Sequence, residues 1–175
     1  MIKRINLPLS AEEAACLRAG DEVRLTGVLY TARDAAHKRL CDLIDSGAEL
    51  PFDIEGAGIY YVGPTPAMPD RPAGSAGPTT SSRMDQFAPK LIAKGLRFMI
   101  GKGNRSQEVI DAMKAGGCVY FAAIGGAGAI IAKSIKKLDV VCWDDLGCEA
   151  LRRIEVEDFP AFVAIDSLGN SLYNR

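Results

Sequence analysis

No stretch of this chain approaches the roughly 18 to 20 consecutive apolar residues that a membrane-crossing helix needs. The longest apolar runs, Cys118 to Ile124 and Ala127 to Ala132, are the length of a strand and of a short helix. The opening segment MIKRINLPLSAEEAACLRAGDE has basic residues but no apolar centre of the kind a secretory leader carries, and acidic residues follow at once. Charge of one sign is also lacking. Lys and Arg number 21 against 22 Asp and Glu, and a net charge of −1 gives no chain-wide field to gather nucleic acid or anionic lipid. Any anion site must be local. The five cysteines are an odd number, they form no C-x-x-C pair, and the single His37 has no zinc-type ligand pair near it. These absences predict a soluble, cytoplasmic protein with reduced, core-buried thiols, no metal ligands of its own, and neither nucleic acid nor membrane as a partner.

What is present reads as one packed domain over residues 1–175. Apolar residues make up 48% and charged residues 25%, which excludes disorder for most of the chain. A domain of this size hides roughly 70% of its unfolded surface. No internal repeat is visible.

Hydrophobic periodicity locates the elements. Asp21 to Thr31 alternates at Val23, Leu25, Gly27 and Leu29, the two-residue period of a half-buried strand. From Arg33 to Ser46 the period becomes helical, with Ala36, Leu40, Leu43 and Ile44 on one stripe and Gly47 placed for a carboxyl cap. Ile59 to Gly63 reads as a strand, and six of the nine prolines then fall between Pro64 and Pro89. The aperiodic stretch of about residues 64–82 is therefore a long loop of the kind that is functional or mobile. Ser81 or Ser82 is placed to cap a helix carrying Met84, Phe87, Leu91 and Ile92. Next come a strand at Leu96 to Ile100, the tight GKGNR loop, and a helix from Ser106 to Lys114. A strand at Cys118 to Ile124 follows, then a glycine-led helix in GGAGAIIAKSIKK and a buried strand at Leu138 to Trp143. Apolar strands alternating with helices predict an α/β fold whose central sheet is mainly parallel and covered on both faces. Further strands are expected at Ala150 to Val156, Ala161 to Ile165 and Ser171 to Tyr173, the last after a Gly169-Asn170 turn.

Three segments carry candidate chemistry. In GKGNRS (Gly101 to Ser106), strand, glycine loop and helix start together suit a carboxylate or phosphate. The segment matches neither the P-loop nor the dinucleotide fingerprint, because Lys102 is followed by Gly103 and Ser106 stands where the last glycine belongs. A plain turn with solvated Lys102 and Arg105 remains open. GPTTSSRMD (Gly77 to Asp85) packs four hydroxyls and an arginine into a loop entering a helix; simple capping, with Arg83 paired to Asp85 or a neighbouring acid, is the alternative. In TARDAAH, Arg33 either lines a ligand crevice at a strand end or pairs with Asp34 or Asp45. His37 is a structural or surface histidine that Asp34 or Asp42 could orient.

Taken in order, ARDAAH (Ala32 to His37), GPTTSSRMD and GKGNRS resemble the β subunit of class I, iron–sulfur-dependent hydro-lyases, the class I fumarate hydratases and L(+)-tartrate dehydratases. The resemblance runs from about Gly20 to Asn174 and shows no departure within the three motifs. It implies a swivelling β/β/α three-layer domain with a mainly parallel central sheet and extra carboxyl-terminal strands. It also implies a separate α subunit holding a [4Fe–4S] cluster through three cysteines, a hetero-oligomer with the active site between the two, and a small dicarboxylate substrate. Carried over by position, Arg33, Arg83 and Lys102 resemble substrate-carboxylate ligands, and Thr79 resembles the hydroxyl that moves the proton. The implied reaction is the reversible hydration of fumarate to malate, with L(+)-tartrate dehydration as the nearest rival. A non-enzymatic module binding a phosphorylated molecule at GKGNR, and a subunit that merely docks a partner, stand as the readings from other classes.

Overall fold

The computed structural model describes residues 1–123 and 128–174. Its frame is a seven-stranded mixed sheet. Strands β1 (Lys3–Asn6), β2 (Glu22–Thr31), β3 (Gly58–Tyr60), β4 (Phe98–Gly101) and β5 (Val119–Ala122) lie side by side, each parallel to the next. The long β7 (Leu151–Ile165) runs antiparallel to β2 along one edge and to β5 and β6 (Ile135–Cys142) along the other. Because β7 joins β5 back to β2, strands β2-β3-β4-β5-β7 close into a barrel-like ring. β1 and β6 extend from it.

The two-residue period sorts side chains to the two faces of this ring. Leu25, Leu29, Tyr60, Phe98, Ile100, Phe121 and Val163 belong to one buried cluster, with Phe98 and Phe121 edge to face at 5.8 Å and Tyr60 against Phe159 at 5.1 Å. Their strand neighbours Ile59, Tyr61, Met99 and Tyr120 face a second cluster. There they meet the apolar stripes of α2 (Asp34–Asp45), α3 (Ala88–Ala93) and α4 (Gln107–Gly116). Gly27 has no freedom of identity: its φ is +136°, and a Cβ there would stand 2.8 Å from that of Leu7.

The sheet is mixed: four pairings from β1 to β5 are parallel, and the carboxyl-terminal β7 adds three antiparallel ones. Several other expectations need correction. The two strands expected at 150–156 and 161–165 are one, since the chain absorbs a positive φ at Asp158 while that residue's N–H bonds Thr26 Oγ1 at 3.0 Å. The strand expected from Leu138 starts at Ile135 and is largely exposed, being the outer member of the sheet. Ser171 makes a single bridge to Ile165, and a 3-10 turn over Leu172–Asn174 replaces the expected strand. The glycine-led helix falls partly on residues 124–127, outside the described residues; α5 (Gly128–Ser134) is its remainder, and Ile135 already belongs to β6. The first twenty residues, which yielded no element, hold β1 and the short α1 (Ala11–Cys16), closed by a reciprocal capping box of Ser10 and Glu13. Cys41 and Cys118 are buried, whereas Cys16 and Cys148 are exposed and Cys142 is half-buried.

Two buried polar groups hold the helices to the sheet. Arg105 is enclosed between the rings of Tyr61 and Tyr120, its Nε donates to Asp85 Oδ1 at 2.7 Å, and one Nη donates to the Tyr61 hydroxyl at 3.1 Å. Burial works against this cation, but the tyrosines and Asp85 outweigh it and keep the guanidinium charged. His37 is fully buried on α2 with its Nδ1 2.8 Å from the Arg33 carbonyl oxygen, so that nitrogen carries the proton. Its Nε2 has no partner, and its ring packs against Tyr61 and Phe87. It is a core histidine, and neither Asp34 nor Asp42 orients it.

Removing the Asp85 carboxylate strands a buried charge, so Asp85→Ala is expected to cost about 3 to 5 kcal/mol in equilibrium denaturation. Acid should act through His37. Burial pushes its pKa from 6.5 down to about 4, so the unfolded chain takes up the proton first and stability falls as pH drops from 6.5 towards 4. The slope is at most about 1.4 kcal/mol per pH unit. Urea titrations of His37→Gln across that range should show a shallower loss than the parent chain.

Candidate functional site

Four neighbouring parallel strands end at the same rim, and the three motifs are the segments that leave it. Such carboxyl-terminal ends are where α/β proteins gather ligands, because the loops there converge while the strands hold them apart. Past Thr31 the ladder continues without regular strand geometry: Ala32 N–H bonds Tyr60 O at 3.2 Å, Tyr61 N–H bonds Ile100 O at 2.8 Å, and Ala123 N–H bonds Gly101 O at 2.9 Å.

Arg33 follows β2 as the residue before the first turn of α2. Its carbonyl accepts both the His37 N–H at 2.9 Å and the His37 ring N–H, which pins the turn. The side chain is partly exposed, and its Nε is buried without a partner. A Cβ at Gly63 would stand 3.3 Å from Arg33 Cδ and equally close to Cys148 Sγ, so the bare backbone at 63 makes room for the arginine.

The proline-rich segment is folded rather than loose. Thr65 and Ser75 bond each other, Met68 bridges Arg71, the Tyr60 hydroxyl donates to Ala76 O, and Ala76 N–H reaches Gly128 O at 3.1 Å. Thr79 then bonds Tyr61 O through its N–H at 2.8 Å. Thr80 makes a parallel bridge with Lys102, and Ser81 N–H bonds Lys102 O at 2.9 Å. Motif GPTTSSRMD is thus laid against the ends of β3 and β4. Gly101 permits this approach, since a Cβ there would fall 1.9 Å from Ser81 Oγ. Neither Ser81 nor Ser82 caps a helix: Ser81 to Met84 form a 3-10 turn with no side-chain cap. The Ser81 hydroxyl is buried 2.7 Å from the Tyr120 oxygen, which in turn lies 2.8 Å from Gly103 O.

The cations have distinct surroundings. Arg83, on the 3-10 turn, donates Nε to Asp34 Oδ2 at 3.0 Å with Nη2 at the same distance, so its acidic partner is Asp34 and not Asp85. Asp45, offered above as a partner for Arg33, is taken by Lys90. Among the described residues neither Arg33 nor the exposed Lys102 has a carboxylate partner. Arg105 is no solvated loop residue but the buried mate of Asp85. The missed participants are therefore Asp34, Asp85 and Arg105, all inside the motifs: from sequence Asp34 falls to Arg33 or His37, Asp85 to Arg83, and Arg105 to solvent.

One further bond decides how an anion could bind. Ser106 caps α4 with its hydroxyl, and its own N–H donates to Asp85 Oδ2 at 2.9 Å. The start of α4, the place where a phosphate would sit, already holds a carboxylate of the same chain. The other motif cations are Arg33, Arg83 and Lys102. Arg83 and Lys102 are exposed and Arg33 and Thr79 half-buried, so the rim is open to solvent; a groove of about 490 Å³, lined by Pro64, Pro66, Pro72, Val140 and Cys148, includes none of the four. Among the described residues no three His, Cys, Asp or Glu side chains converge to hold a metal ion.

Comparison with known proteins identifies the family. The family model described as Fumarase C-terminus matches residues 1–175. The anaerobic class I fumarate hydratase of Escherichia coli is 46% identical over 153 residues, covering 86% of this chain and 28% of that enzyme. Fumarate hydratase 2 of Leishmania major is 42% identical over 158 residues, 89% of this chain and 28% of the relative. A protein of Methanocaldococcus jannaschii assigned as L(+)-tartrate dehydratase subunit beta is 39% identical over 173 residues, 95% of this chain and 89% of the relative. The chain spans little more than a quarter of the length of the fumarate hydratases it matches. With its whole length matched by that model, the chain belongs to the Fumarase C-terminus family.

Proposed function

We propose that this chain is the β portion of an iron–sulfur hydro-lyase that interconverts fumarate and malate, completed by a cluster-bearing α subunit. The observation that carries the reading is the pair of cations, Arg33 and Lys102, without carboxylate partners among the described residues, beside Arg83 at one rim of a nearly neutral chain. A dianion with two carboxylates is what such a set can neutralise. Two features support a partner. The rim is open, and a relative matched over 89% of its own length is described as a subunit beta. In this reading the domain is the swivelling β/β/α unit that turns against the α subunit, and the cluster, with its Lewis acidity towards the C2 hydroxyl, belongs to that subunit.

The residues of this chain would bind the diacid and handle its proton. Removing a proton next to a carboxylate moves charge onto that carboxylate in the transition state, and fixed cations stabilise that change more than the ground state. Arg33 and Arg83 suit this task because a planar fork grips a carboxylate through paired, charge-assisted bonds and fixes its orientation. Lys102 adds a compact charge. Thr79, held by its N–H on Tyr61 O, is the hydroxyl we assign to proton transfer. Unaided it is a weak base, and the surrounding cations make its alkoxide less costly.

L(+)-tartrate dehydration is the second reading, favoured by the tartrate dehydratase relative, which this chain matches over most of both lengths. The phosphate-binding reading loses its place at the start of α4, which Asp85 fills.

The complex with the cysteine-bearing α subunit, assembled anaerobically, should be brown and hydrate fumarate. Inactivity of the cluster-loaded complex on both fumarate and tartrate defeats the proposal. Arg83→Lys should fold normally and lower kcat by about 10²- to 10³-fold, as losing an oriented transition-state donor does. Wild-type turnover in that variant removes Arg83 from the site. Thr79→Val should abolish turnover while Thr79→Ser retains a measurable part, read from steady-state rates; equal rates in the two variants would exclude the hydroxyl.

A further inference from the structure

The candidate ligands are separated in sequence but joined by acids. Asp34 stands directly after Arg33, in the first turn of α2, and its Oδ2 faces the Nε and Nη2 groups of Arg83 at 3.0 Å each, 49 residues further along the chain. One oxygen therefore spans one edge of the guanidinium. Because the group is planar, fixing that edge sets the direction of the opposite one. The other oxygen, Oδ1, is buried with no donor, so Arg83 is the side-chain partner of this carboxylate among the described residues.

We infer that Asp34 is a positioning residue, holding the inner edge of the Arg83 fork so that its free edge is presented to a ligand carboxylate. The inference rests on the dicarboxylate reading above and deepens it. Two effects of Asp34 oppose each other. Its charge offsets that of Arg83 and weakens attraction for a dianion, while its grip removes the freedom that a long exposed side chain otherwise has to surrender during the reaction. The pairing geometry favours the second. The carboxylate takes the Nε edge and leaves the Nη1 side, where a second carboxylate can be met with two donors.

A double-mutant cycle in the α-completed complex separates these effects. Asp34→Asn is expected to lower kcat about tenfold with little change in KM, and Asp34→Glu to recover part of it. In an Arg83→Lys background Asp34→Asn should cost less than about twofold more, because its effect passes through Arg83. A lowered KM at unchanged kcat would make Asp34 a competing charge only, and additive losses would make its role independent of Arg83. Either result overturns the inference. A second measurement does not depend on turnover: in the full chain labelled with ¹⁵N-arginine, the Arg83 Nε–H should exchange with solvent about tenfold more slowly than in Asp34→Asn. Equal exchange refutes the positioning role whatever the complex does, whereas a wild-type complex inactive on both diacids refutes the functional reading and leaves the exchange result to decide the pairing.

Discussion

The two oxygens of Asp85 hold together segments that otherwise meet only at their edges. One oxygen takes Arg105 Nε and the other takes the Ser106 N–H, so a single carboxylate joins the end of the threonine–arginine segment to the start of α4. Such an arrangement is stable only as a complete set, because a buried guanidinium without its counter-charge is costly and a carboxylate facing a helix start is favoured there. Tyr61 and Tyr120 close over the pair, and Tyr120 also reaches Ser81 and Gly103. The backbone of the glycine loop, the buried arginine and the 3-10 turn bearing Arg83 are thereby fixed relative to one another.

That internal pairing decides which cations the proposed chemistry can use. Arg105 is consumed by the fold, and Arg83 is held along one edge by Asp34. Among the described residues, Arg33 and Lys102, at the ends of β2 and β4, have no carboxylate partner. A chain of net charge −1 thus presents a local excess of positive charge without any chain-wide field. In the proposed reading, the occupied start of α4 leaves recognition to side-chain forks. Forks discriminate by shape, which suits a small planar diacid better than a phosphate cradled by backbone N–H groups.

Much of this was legible in the residues alone. β2, α2 and α4 announced themselves by period because each has one buried face, and the three motifs marked the rim because strand, turn and helix follow in that order. Short elements escaped: β1 and α1 lack room for a repeating pattern, although Ser10 and Glu13 spell a capping box. β6 was misjudged because its apolar residues resemble those of a covered strand, and exposure depends on whether another strand lies alongside. β7 looked like two strands, yet its pairing with β2 carries it across Asp158 and Pro160.

The one-dimensional pattern determined the types of the longer periodic elements, the local charge at three glycine- and hydroxyl-rich segments, and the family they resemble, since each depends on residues within a few positions of one another. Only the tertiary structure decided who holds whom. Asp34 meets Arg83 across 49 residues and Asp85 meets Arg105 across 20. No local rule predicts either pair, because in sequence Asp85 stands nearer Arg83 and Asp34 nearer Arg33. The exchange follows from closing the strands into a ring, which brings the ends of β2, β3 and β4 together and lets each acid find the cation across the gap.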